Sequence, residues 1–83
     1  MDDAKMISET NKWLAKLEAD INTARIADEY MKPAAGVMEN IRAYISDCKH
    51  FLEKKDYLNA YEAVIYAWGI WETCLRVGII RKD

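Results

Sequence analysis

Residues 57 to 77 carry apolar side chains around almost the whole circumference of a helix, and a chain of 83 residues can satisfy such a segment only by packing other helices on more than one of its faces. At about 100° per residue, Tyr57, Tyr61, Val64, Trp68, Trp71 and Leu75 share one arc. Ala63, Tyr66, Ile70, Cys74 and Val77 form a second arc beside it. The polar seam is narrow: Asn59, Glu62, Thr73 and Arg76, with Gly69 between them and Glu72 at the edge of the first arc. In a bundle of three, each helix touches two others and keeps some surface wet. The second arc therefore either widens the contact inside the bundle or meets another chain. Exposed apolar patches mark interaction sites, and Trp and Tyr are common anchors there.

Two further apolar stripes supply the neighbours. Met6, Ile7, Thr10, Trp13, Leu14, Leu17, Ile21 and Ala24 recur at steps of three and four, and the pattern runs on more weakly to Met31. It predicts a first helix over about 4–30. Pro33 disfavours helix before it and suits the first turn of the next. Val37, Met38, Ile41, Tyr44, Ile45, Cys48, Phe51 and Leu52 then predict a helix over 33–54. Lys54 and Lys55 suit the carbonyl end of that helix, and Asp56 is a good N-cap for a third helix over 57–77. Gly78 reads as its left-handed C-cap, with Ile79 and Ile80 folding back onto the apolar surface. Only three Gly and one Pro interrupt the chain. No strand is predicted. The expectation is one all-α domain over 1–83, an up-down-up antiparallel three-helix bundle joined by short connections.

The charges exclude several function classes. A net charge of −2, spread along the chain, argues against nucleic-acid binding, which concentrates cations on one face. The start, with Asp2 and Asp3, lacks the basic and apolar pattern of a signal peptide, and no apolar run approaches the roughly 20 residues that cross a bilayer. Cys48 and Cys74 are too few for a disulfide framework. They read as small buried hydrophobes in a reducing cytoplasm.

No catalytic set is visible, so no enzymatic activity, cofactor or metal is expected. Asp47 and His50 have the spacing used in di-metal bundles, but those sites need a second such pair and two further Glu residues. His50 lies opposite the apolar stripe and reads as solvent-facing. Asp47 and Arg76 could pair across the groove between the second and third helices, fixing register. A small-molecule site, if one exists, would use Tyr44, Asp47, Tyr66, Gly69, Glu72 and Arg76. Gly69 costs its helix roughly 1 kcal/mol relative to Ala, which suggests close approach by a neighbouring backbone or aromatic ring.

The segment YISDCKHFLEKKDYLNAYEAVIYAWGIWETCLRVGI, residues 44 to 79, resembles the archaeal domain of unknown function family 357. Tyr44, Ser46, Asp47, Phe51, Leu52, Asp56, Ala60, Tyr66, Ala67, Gly69, Arg76 and Gly78 match its pattern. Cys48 stands where the family tends to have Ala, Lys55 replaces a corner Gly, and Trp71-Glu72-Thr73 replaces Leu-Asp-Ala. The resemblance implies a small helical bundle in the cytoplasm with no assigned activity. The leading functional expectation is a non-enzymatic interaction module, a homodimer or a dock for another protein, using Ala63, Tyr66, Ile70, Cys74 and Val77. The rival is a small-ligand or nucleotide-binding accessory domain using the groove around Asp47 and Arg76.

Overall fold

The computed structural model describes residues 1 to 82. Three helices, α1 (Asp3–Ile21), α2 (Val37–Glu53) and α3 (Tyr57–Arg76), carry the fold, and two short strands, β1 (Ala24–Ile26) and β2 (Ile80–Lys82), join them. Side-chain caps start α1 and α3. The Asp2 carboxylate accepts a hydrogen bond from the Lys5 N–H at 2.8 Å, capping α1. Asp56 caps α3, accepting from the backbone N–H of Asn59 and, at 2.7 Å, from its side-chain amide.

α2 and α3 end alike. The Asp56 N–H donates to the Phe51 carbonyl and the Lys55 N–H to that of Leu52. Ile79 and Gly78 repeat this pattern on Cys74 and Leu75. Both are Schellman motifs, whose central residue must be left-handed. Gly78 takes that conformation freely, at φ 83°, whereas Lys55 adopts it at φ 60° despite its side chain.

α3 lies between α1 and α2, which touch each other only sparsely. From α3, Ala60, Val64, Ala67 and Trp71 are buried; α1 contributes Leu14, Leu17 and Ile21, and α2 contributes Met38, Ile41, Ile45 and Cys48. Trp68 and Trp13 meet edge to face at 5.4 Å, and the Trp68 indole donates to the Trp13 carbonyl at 3.0 Å. The Trp13 indole in turn donates to Glu9 at 3.1 Å. The Lys5 ammonium beside Glu9 holds its carboxyl below the usual range, against a smaller opposing effect of burial and aided by Lys12. The molecule is elongated, 43 × 18 × 17 Å.

The first two helices are shorter than their stripes imply. α1 stops at Ile21, not near residue 30, because both the backbone N–H and the hydroxyl of Thr23 turn back to the Asp20 carbonyl. Ala24, Arg25 and Ile26 then pair antiparallel with Lys82, Arg81 and Ile80. The Ala27 N–H extends the ladder to the Ile79 carbonyl at 2.8 Å. This ribbon overturns the expectation of a strandless chain. It also explains how Ile80 folds back, since its side chain is buried in the core. A 3₁₀ turn (Asp28–Tyr30) and further turns occupy the chain up to Gly36, so α2 begins at Val37 rather than Pro33. Ion pairs Arg81–Glu29 (2.9 Å) and Lys82–Asp20 (3.8 Å) fasten the ribbon at the surface.

Candidate functional site

α3 buries two sides and leaves a third open. Leu58, Glu62, Ile65, Gly69, Glu72 and Arg76 alternate at steps of four and three and are all exposed. That spacing puts them on one line along the helix. Tyr66 and Thr73 flank the line, also exposed. The apolar members are strongly accessible: Leu58 57%, Ile65 41% and Tyr66 64%. Val77 lies just past the helix end, 55% exposed.

Two hollows meet on this face. The larger, about 790 Å³, is a wide trough lined by α3 itself, with Ile65, Tyr66, Gly69, Ile70 and Thr73 along it. The smaller, about 300 Å³, lies toward α1 and is lined by Trp13, Ile65, Trp68, Gly69 and Glu72. Gly69 belongs to both. The close neighbour expected at Gly69 does not exist within the chain: a side-chain carbon placed there would meet nothing within 4 Å. The missing side chain keeps the floor of the trough low without serving internal packing.

The sequence-derived interface set divides. Tyr66 and Val77 are exposed and Ile70 is half-buried, but Ala63 and Cys74 are core residues. Their arc faces α2, whose helix covers it more widely than a symmetric bundle would. Leu58 and Ile65 were absent from that set, although their seven-residue spacing marks them as one stripe.

The polar set does not converge. Asp47 and Arg76 are exposed, and no ion pair joins them among the described residues. The cross-helix pair expected of them is therefore not formed, and neither lines a hollow. Tyr44 and Tyr66 do meet, stacked at 5.7 Å with planes 16° apart. Tyr66, Gly69 and Glu72 share the open face of α3.

The two cysteines are buried and not activated. Burial pushes the Cys74 thiol up. Burial also pushes Cys48 up to about 11, with the Glu18 carboxylate adding to the rise. Both thiols stay protonated near neutral pH and are poor nucleophiles. His50 is exposed, and among the described residues no group of His, Cys, Asp and Glu is arranged to hold a metal ion. No helix is long and apolar enough to cross a membrane.

The model of a family described as "Protein of unknown function (DUF357)" matches residues 12–80. The chain belongs to the DUF357 family. A solved relative supports the same fold for this DUF357 chain: the crystal structure of protein AF1782 from Archaeoglobus fulgidus, of the same family, is 36% identical, with a TM-score of 0.86 over 98% of this chain and 97% of that one. Comparison with curated proteins returns no match. In this DUF357 chain Tyr44, Tyr66 and Gly69 lie along one flank and the floor of the open α3 face, while Asp47 and Arg76 stand apart.

Proposed function

We propose that the protein is a non-enzymatic interaction module that docks another protein surface on the open face of α3. One observation carries this reading: Leu58 and Ile65 on the line and Tyr66 beside it, three large apolar side chains, stand accessible on the one open side of a helix that is otherwise packed on both flanks. A well-packed chain of this size has no internal reason to leave them together in water. Large exposed apolar patches mark protein contacts, and here the charged residues Glu62, Glu72 and Arg76 alternate with the apolar ones along the same face.

The small-ligand reading has less support. Its groove between Asp47 and Arg76 is not assembled, and the trough that does exist is open along its length. Ligand sites usually enclose most of their ligand and converge polar groups on it.

A photo-crosslinking residue placed at Tyr66 should capture protein, whereas the same group at exposed Asn22, after the end of α1, should not. Equal labelling from both positions, or none from Tyr66, would remove the docking face. Thermal stabilisation by a metabolite that is lost in Ile65→Glu would favour the ligand reading.

A further inference from the structure

We infer that the surface that docks on α3 is the α3 of a second copy, running antiparallel and crossing at Gly69. This rests on the docking reading above and adds the partner. Two features of the open face point to it.

The first is a charge pattern centred on Gly69. Glu62 stands seven positions before Gly69 and Arg76 seven positions after it. Seven residues make two turns less about 20°, so both lie nearly in line with Gly69, each about 10.5 Å away along the axis. Neither forms an ion pair among the described residues. A two-fold axis through Gly69 reverses the helix and sets Glu62 of each copy against Arg76 of the other. The same face then answers itself, as an isologous contact requires. A parallel arrangement in register would instead place Glu62 on Glu62 and Arg76 on Arg76.

The second feature is the floor at the crossing point. Helices pack 8–10 Å apart according to the side chains between them. With Gly on both sides of the axis, the two backbones approach closely, which accounts for a helix-interior glycine that nothing in its own chain requires. Tyr66 of each copy then lies along Ile70 and Thr73 of the other, filling the trough, and the two Ile65 side chains close its far side. The seam is short, about fourteen residues per helix. That places it among small, weak interfaces, with association expected in the micromolar range.

Sedimentation equilibrium on the full chain tests this, using charge variants. Wild type should dimerise. Glu62→Arg sets cation against cation and Arg76→Glu sets anion against anion, so each single variant should be monomeric at concentrations where wild type is dimeric. Mixed one to one, the two variants should form a heterodimer, because every facing pair is again opposite in sign. The double variant E62R/R76E should self-associate as wild type does. Glu62, Arg76 and Gly69 are all exposed, and helical circular dichroism confirms folding of each variant. Gly69→Leu should weaken association at least tenfold while the monomer stays folded. A wild-type chain that stays monomeric at several hundred micromolar overturns the inference, as do single variants that dimerise normally or a mixture that fails to recover. If the wild type is monomeric and the Tyr66 crosslinker still captures another protein, docking stands and self-pairing falls. If Tyr66 captures nothing, both fall.

Discussion

Lys55 holds a left-handed backbone at the centre of a Schellman turn, a conformation that favours glycine. A non-glycine residue there costs about 1–2 kcal/mol. Glycine recovers this but gives back part of it as unfolded-state entropy. Lys55→Gly should therefore raise stability by about 0.5–1 kcal/mol, read as a higher urea midpoint at unchanged slope. Thr10 is the second residue out of step with its surroundings. It is fully buried in α1, and its hydroxyl has no hydrogen-bond partner. A buried unpaired hydroxyl costs about 1–3 kcal/mol. Thr10→Val keeps the shape and should stabilise by about 1 kcal/mol in the same assay; a loss instead would mean the hydroxyl is satisfied in solution. The sequence places Thr10 in the apolar stripe by spacing alone, and spacing carries no information about whether a hydroxyl finds a partner. Gly69 is similar: its rarity in a helix flags it, but whether its missing side chain serves the core or the surface depends on neighbours that only the fold supplies.

At the scale of elements, the helices were legible wherever local pattern and local capping agreed. The stripes of α2 and α3, the Asp56 cap and the Gly78 stop all follow from residues within one or two turns of each other. The ribbon was not legible. β1 and β2 are three residues each, too short for alternation to register, and their partners lie more than fifty positions apart. Ala24 fits the helical stripe of α1 as well as it fits a strand, and pairing with β2 decides between them. The same ribbon makes a stability prediction. Ile80 is 1% exposed and belongs to the core. Ile80→Ala removes a buried branched side chain and should cost about 2–4 kcal/mol, measured by thermal or urea unfolding. A cost near zero would mean that the ribbon is not seated on the core in solution.

At the scale of the molecule, α3 is a central beam with α1 and α2 on its flanks and one long side free. Composition announces the beam, since no other segment is so uniformly apolar. It does not announce which side stays free. Ala63 and Cys74 look as available as Tyr66 on a helical projection, and only the wide α2 contact removes them. The candidate site was therefore half legible: Tyr66, Gly69, Ile70 and Glu72 are named by sequence and lie on the open face, while Leu58 and Ile65 come from the structure. The Asp47–Arg76 groove failed because its two members sit on outer surfaces, where water screens any attraction between them.

The ribbon and the α2–α3 pair close loops of very different length. α2 and α3 are joined by a three-residue corner, so their contacts are local and cheap in chain entropy, whereas β1 can reach β2 only after the intervening chain has been drawn in. Folding should then nucleate in the α2–α3 hairpin and lock last at the ribbon. The loss from Ile80→Ala should consequently appear as faster unfolding with little change in the folding rate, while substitutions at Val64 or Ile45 should slow folding itself.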